Sequence, residues 1–336
     1  MLYTFKMVYK SFYEFIEYCY IVITRVDKVL IIRFKEASIA MNMDHKELGE
    51  SFKIFLQRSF PKRYLPDYYL SNSGEYDARI HWLKSNSFRV LKTIFTNNID
   101  EYVVETPQPE VYVNESPVFF LLQVLSRILV KKKIYLFSDS VTVFSRDRTI
   151  LFLGYPHSGK STLTALSLHY GDIPLSTENT MLEISSDCIR VIGGSSILVY
   201  DSRIEELYDV KIPYTEVTKH GYRVIDLNEI AKDRVKILEN KPCIDEVYLI
   251  HCMFNAIDVS IEEIKGRKIG KTIWFFATMI LNGIDYYEPY PLTLLDNQAR
   301  SSIYEMIKFF IRKYNGRFYE IYGKHDKVYE YVRSKR

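Results

Sequence analysis

Thr149-Ile150-Leu151-Phe152-Leu153 runs directly into Gly154-Tyr155-Pro156-His157-Ser158-Gly159-Lys160-Ser161-Thr162, and Leu163 and Leu166 follow on one face of a helix predicted from Lys160 to about Tyr170. An apolar strand, a glycine-rich turn with Gly-Lys-Ser, and a helix stopped by Gly171 form the complete context of a phosphate-binding P-loop. Such a loop holds phosphate through consecutive backbone N–H groups and the positive end of the helix dipole. Pro156 has no N–H, so the cradle is expected from His157, Ser158, Gly159, Lys160, Ser161 and Thr162, with Gly154 opening the turn. Lys160, expected in an exposed loop, would reach between the β and γ phosphates of a nucleoside triphosphate, and the Ser161 hydroxyl would ligate Mg²⁺. His157 reads either as a solvent-facing loop histidine or as a group touching the γ-phosphate or the acceptor.

Transfer of a phosphoryl group to an alcohol also needs an acid near the metal and a carboxylate to take the hydroxyl proton. Two positions qualify. Glu178, in Leu175-Ser176-Thr177-Glu178-Asn179, lies in a short extended stretch expected to return beside the loop; Asp201 ends the apolar run Ile197-Leu198-Val199-Tyr200. Each reads alternatively as an ordinary strand-end carboxylate, with the functional reading favoured for Glu178 over Asp201. Gly193-Gly194-Ser195-Ser196 reads as a hairpin turn or as backbone approaching a ligand.

Outward from the loop, Val118 to Val130 reads as an apolar helix, and Lys133–Phe137 and Ser140–Phe144 as strands around Ser138-Asp139. Leu182–Ile192, Ile197–Tyr200, Glu246–Phe254 and Ile257–Ile264 are further strand candidates. Asp226 can cap a helix carrying Leu227, Ile230, Val235 and Leu238, and Ile303, Ile307, Phe310, Ile311 and Tyr314 mark a last strong helix. Strands outnumber helices around the loop, which points to a mixed sheet in an α/β (α+β) chain rather than strict strand–helix alternation.

Glu105 to Pro117 holds three prolines and is the candidate linker between a smaller N-terminal α+β domain, 1–110, and the loop-bearing domain, 118–336. In the first, residues 12 to 34 read as one or two strands turning near Asp27-Lys28. Lys46 to Phe60 carries a helical stripe ended by Pro61, and Arg79 to Thr96 is a helix or a strand pair. The aromatics Tyr64, Tyr68, Tyr69 and Trp82 read as packed rather than ligand-stacking.

The 336 residues, 47% hydrophobic, can bury a large core, and 45 basic residues nearly cancel 42 acidic ones. No pull toward nucleic acid or anionic lipid is expected, and the runs Lys131-Lys132-Lys133 and Arg333 to Arg336 read as solvated surface. Cys19, Cys188, Cys243 and Cys252 have no CxxC spacing, so neither zinc nor a disulfide is suggested and a reducing cytoplasm fits best. Lys6, Lys10, Glu14 and Glu17 break any signal-peptide core. Thr272 to Ile284 falls short of the roughly 20 residues of a membrane helix. Twenty-eight tyrosines beside four glutamines, with abundant Lys, Ile and Glu, lean toward a thermophile, as a biased genome would too.

The strand pair at 134–144, the strand and loop at 149–162, the helix ending Tyr170-Gly171-Asp172 and the polar acidic cluster at 176–179 together resemble the HPr kinase/phosphorylase family and its relatives. Those proteins share a fold with phosphoenolpyruvate carboxykinases. The resemblance covers about residues 135 to 200, and only the P-loop is highly specific within it. It implies that Lys160 and Ser161 bind phosphate and Mg²⁺ and that Glu178 stands where the first of two adjacent aspartates acts as base. The second of those aspartates falls on Asn179, the family's upstream histidine falls near Ser138 or Asp139, and its arginine-glycine signature is missing. The expectation is an ATP- and Mg²⁺-dependent kinase acting on a hydroxyl of a small molecule or a protein serine. A P-loop hydrolase or switch, or a nucleotide-binding regulator, are the alternatives; self-association into a homo-oligomer is left open.

Overall fold

Alternation with a period of two governs the N-terminal sheet: in Ala78–Lys84 the side chains of Ala78, Ile80 and Trp82 are buried, and in Asp100–Thr106 so are Asp100, Tyr102, Val104 and Thr106. The computed structural model describes residues 29–96, 98–283 and 294–335, and these divide into two units. The part of the strand reading at residues 12–28, with its turn at Asp27-Lys28, and Cys19 lie outside the described residues.

The first unit takes in the described residues up to Arg33, then Ala37–Phe55 and Tyr69–Glu115. Its strands are β1 (Leu30–Phe34), β2 (Ser38–Met43), β3 (Tyr68–Ser71), β4 (Ala78–Lys84), β5 (Arg89–Ile94) and β6 (Asp100–Thr106), with helix α1 (Lys46–Leu56). They form one mixed sheet in the order β3-β1-β2-β4-β6-β5. Leu48 and Phe52 give α1 its buried face, and the Phe52 ring lies 4.8 Å from Trp82. Residues 79–96 are thus two strands, and they are not partners: β4 pairs parallel and β5 antiparallel with β6 between them.

Residues 34–36, 56–68 and 116–336 make the second unit. Its first helix, α2 (Ser59–Tyr64), contains Pro61, so α1 ends at Leu56 and the proline sits in the first turn of a new helix where no N–H is required. There follow α3 (Ser116–Lys131), β7 (Ile134–Ser138), β8 (Ser140–Ser145), β9 (Arg148–Leu153), α4 (Lys160–His169), β10 (Ile173–Ser176), β11 (Asn179–Ile184), β12 (Ile189–Gly194) and β13 (Ile197–Asp201). Next come α5 (Arg203–Tyr208), β14 (Glu216–Val217), β15 (Tyr222–Asp226), α6 (Leu227–Ile230), α7 (Arg234–Glu239), β16 (Ile244–Cys252) and β17 (Ser260–Glu263). Then α8 (Arg267–Thr278), α9 (Asn297–Lys313), β18 (Phe318–Gly323) and α10 (His325–Ser334) complete the unit. Asp226 does cap, its carboxylate accepting from Asn228 N–H at 2.9 Å, but the stretch after it is two short helices.

A six-stranded mixed sheet, β10-β8-β9-β16-β18-β17, forms the centre, with the β9–β16 and β16–β18 pairs parallel and the other neighbouring pairs antiparallel. β12-β11-β7 and β13-β15-β14 are separate three-stranded sheets. The chain is therefore mixed α/β with mixed sheets. β7 and β8 follow one another across Asp139 yet belong to different sheets, and so do β10 and β11 across Thr177-Glu178.

Cys188 and Cys243 are joined by a disulfide, correcting the expectation that the cysteines stay reduced. Their 55-residue separation hid it. Val191 N–H bonds Pro242 O at 2.9 Å and Arg190 bridges Cys243, which carries the two cysteine backbones together. Cys252 is free and buried. The C-terminal basic run is also more than solvated charge, because Arg333 pairs with Asp172 at 2.9 Å and Lys335 with Glu246 at 2.7 Å. No helix among the described residues is long and apolar enough to cross a membrane.

Candidate functional site

β9 lies at the middle of the central sheet, bonded to antiparallel β8 on one side and parallel β16 on the other, and its last residue, Leu153, stands opposite both Ser140 and Leu249. Gly154 leaves the strand with its N–H on Asp139 O at 3.1 Å. The loop then turns back: Ser158 N–H closes onto Tyr155 O at 3.0 Å, His157 takes φ 64° and Gly159 φ 102°. A Cβ on Gly159 would lie 2.7 Å from Cys252 Cβ and 2.7 Å from His325 Cδ2, so this position admits only glycine on steric as well as conformational grounds. Gly159 is also the N-cap of α4 and supplies no side-chain acceptor. The first amides of α4, on Lys160, Ser161 and Thr162, therefore have no side-chain cap, which is an arrangement suited to an anion. His157 is exposed, and the closed Ser158 turn leaves its own N–H out of that cradle.

Lys160 is not in an exposed loop. It is 7% exposed, and its ammonium is shared by three acceptors: Gly154 O at 2.8 Å, Tyr155 O at 3.1 Å and Asp139 Oδ1 at 2.9 Å. A lysine reaching back over its own loop brings a cation to the concave side, and the carbonyls and carboxylate offset its desolvation. The Ser158 hydroxyl is buried without a partner.

The carboxylates come from the corner where two sheets exchange strands. Asp139 occupies that corner with φ 51°, a left-handed conformation that an Asp tolerates better than most residues. Glu178 lies beside it, because its carbonyl accepts from Ser140 N–H at 3.0 Å. Ser195 Oγ takes the N–H groups of Glu178 at 3.0 Å and Asn179 at 3.1 Å, which fixes the turn. Gly194 packs there too closely for a side chain, since a Cβ would lie 2.7 Å from Asn179 O. The Gly193–Ser196 segment thus holds the acidic turn. Behind it Arg234, fully buried, donates to Leu175 O and Gly194 O at 3.1 Å each and pairs with Asp67 at 2.7 Å.

Glu178 is paired in turn with Arg63 of α2 at 2.8 Å, and Asn179 Nδ2 donates to Tyr64 O at 2.7 Å. Arg63 and Arg234 escaped sequence reasoning because both partners of each pair are over 100 residues apart or buried among backbone carbonyls.

Asp201 is elsewhere in its bonding. It ends β13, in a different sheet, and both carboxylate oxygens are engaged by exposed Arg203, Nε to Oδ2 at 2.9 Å. That guanidinium holds the Asp201 carboxyl below the usual carboxylate range. Among the described residues no hydrogen bond or ion pair joins Asp201 to the loop.

On the β16 side of the loop the groups are aromatic. Cys252 N–H bonds Ser158 O at 2.9 Å, and burial pushes its thiol up to about 12. His325, the first residue of α10, is 3% exposed; burial pushes its imidazole down to about 4, and its Nδ1 lies 2.8 Å from Tyr208 Oη. Among the described residues no group of three or more His, Cys, Asp and Glu side chains is placed to hold a metal ion. No protein-family model and no curated protein matches the chain.

Proposed function

We propose that the chain is an ATP-dependent phosphotransferase of the HPr kinase-like kind, transferring the γ-phosphate to a hydroxyl on a small molecule or a protein serine. The observation that carries this reading is the corner itself: Lys160, Asp139, Glu178 and Arg63 are drawn together at the open end of the strand that feeds a glycine loop and a helix N-terminus. The mixed sheet, with β9 between an antiparallel hairpin partner and a parallel strand, supports the likeness to the HPr kinase and phosphoenolpyruvate carboxykinase fold.

In this reading the amides of Gly159 to Thr162 and the Lys160 ammonium bind the phosphate oxygens. The Ser161 hydroxyl and the Glu178 carboxylate are hard oxygen donors of the kind Mg²⁺ takes, and they would hold it; the bound ion neutralises charge on the β and γ phosphates. Glu178 accepts the proton of the acceptor hydroxyl, and Arg63, 2.8 Å from it, orients the carboxylate and lends positive charge. Asn179 keeps the second acidic position neutral, so reversal by inorganic phosphate is not part of the proposal.

A nucleotide-binding regulator is the second reading, favoured by the full set of partners already on Lys160 and by the Arg63 pair that occupies Glu178. Radiolabelled ATP presented with pools of hydroxyl-bearing metabolites separates the two, since only the transferase forms a labelled product. Glu178→Gln should then lower turnover by about 10²- to 10⁴-fold while ATP still binds, whereas Asp201→Asn should leave the rate near that of the wild type. Loss of turnover in Asp201→Asn with a normal rate in Glu178→Gln would move the acid to Asp201.

A further inference from the structure

The ends of β16 and β18 carry an aromatic group that nothing in the proposed chemistry uses. Phe254, just past β16, is 54% exposed, and its ring lies 4.8 Å from that of His325. Tyr208 bonds the same imidazole, and the Lys324 ammonium sits 5.2 Å over the Tyr208 ring. The backbone under Phe254 is fixed, since Met253 N–H bonds Gly323 O at 3.0 Å and Cys252 N–H bonds Ser158 O at 2.9 Å. A large apolar ring is thus held beside His325, the two rings tilted by 44°, with 54% of the residue's surface exposed.

His325 is the link to the loop, because its Cδ2 edge packs directly against Gly159. Phe254 therefore stands one imidazole away from the residue that caps α4. Across the same loop, on the β8 side, stand the charged groups Asp139, Lys160, Glu178 and Arg63. An occupant that spans the loop meets amides at its centre, ionic groups at one end and an aromatic face at the other. Open sheets with parallel strands bind ligands at the carboxyl ends of those strands, where Phe254 lies.

We infer that Phe254 is the seat of the nucleobase: a purine nucleoside triphosphate lies with its phosphates over Gly159–Thr162, its γ end toward Glu178 and its base stacked on the exposed face of Phe254. This rests on the phosphate-binding reading of the loop. A flat apolar face stacks on any base and gains most from the larger purines, so adenine and guanine are distinguished little by this ring. Lys324 adds positive charge near the nucleoside.

Titration calorimetry with MgATP and with magnesium tripolyphosphate, on the full chain, separates base from phosphate. Stacking on an aromatic residue changes affinity by roughly 5- to 150-fold on alanine substitution. Phe254→Ala should weaken MgATP by that factor and leave tripolyphosphate unchanged, and Phe254→Trp should keep or tighten MgATP. Unchanged MgATP affinity in Phe254→Ala, beside normal tripolyphosphate binding, overturns the stacking role and leaves the loop reading standing. A parallel loss of both ligands, or loss in Phe254→Trp with an unaltered melting temperature, likewise overturns it. A wild-type protein that binds neither ligand removes the loop reading and the base seat together.

Discussion

Lys160→Ala tests how the loop is held as well as what it binds. The Lys160 and Asp139 side chains are only 7% and 13% exposed and meet at 2.9 Å. Removing the ammonium takes a charge partner from a carboxylate in a place with little water, and breaking one partner of a buried pair costs about 3–5 kcal/mol. Asp139 keeps some solvent, which argues for the low end, while Gly154 O and Tyr155 O also lose a donor. A loss of about 3 kcal/mol lowers the midpoint of a domain of this size by roughly 6–12 °C. Scanning calorimetry on Lys160→Ala, Asp139→Asn and the double variant would measure it. The double variant should be more stable than the sum of the single losses allows, with a coupling of about 1–3 kcal/mol. A Lys160→Ala midpoint within 1 °C of the wild type, or strictly additive losses, would refute the buried-pair account and return Lys160 to a solvent-exposed loop.

Two further perturbations address the rest of the second unit. Closing a loop of the 55 residues between Cys188 and Cys243 corresponds to about 4 kcal/mol in the chain-entropy account, so Cys188→Ser should lower the denaturant midpoint in equilibrium unfolding, and a reductant should do the same to the wild type but not to the variant; equal midpoints with and without reductant would show that the bridge does not form. His325 has its imidazole pushed down to about 4 from an ordinary 6.5 by burial, with Asp326 opposing and Lys324 reinforcing the shift. The unfolded chain therefore takes up this proton first as pH falls, so stability is full above about pH 6.5 and declines toward pH 4 by about 3 kcal/mol. His325→Gln should flatten that part of the melting-temperature profile, and an unchanged slope would count against the buried neutral imidazole.

Local patterns were readable where one helix face or one strand decides the element. The apolar run of α3, the strand-to-loop passage of β9 and the Asp226 cap are all set by residues within one turn of each other. The stripe His325, Val328, Tyr329, Val332 has the same 3.6 period and would have revealed α10, but the Lys, Tyr and Glu residues between its members lower the segment's mean hydropathy. Sheet partners were not readable. β7 and β8 look like two arms of one hairpin because they are five and six residues long and joined at Asp139, yet β7 bonds β11 while β8 bonds β9 and β10. Period-two patterning reports that a strand is half-buried and is silent on which strand lies beside it. The same limit concealed the disulfide and the Arg63–Glu178 pair, whose members meet only after the sheets are assembled.

The exchange of strands between sheets also bears on which acid serves the loop. In a parallel arrangement the natural place for a carboxylate is the end of the neighbouring parallel strand, here β16, which ends Ile250-His251-Cys252 and offers none. Its polar member, His251, turns to Glu320 at 3.0 Å and stacks on Tyr322, and Glu320 is also bound by Lys268. Negative charge reaches the loop from the antiparallel side instead, where leaving one sheet for another forces Asp139 into a left-handed turn and sets the Glu178 carbonyl on Ser140 N–H. The corner thus takes up both carboxylates for the same topological reason, while the parallel side keeps Phe254 and His325. On the proposed reading that asymmetry gives an elongated ligand a direction across the loop. It also explains why Asp201, although it ends a strand as an acid near the metal would, is the weaker candidate: its strand belongs to a sheet that lies outside this exchange, and its charge is already met by Arg203.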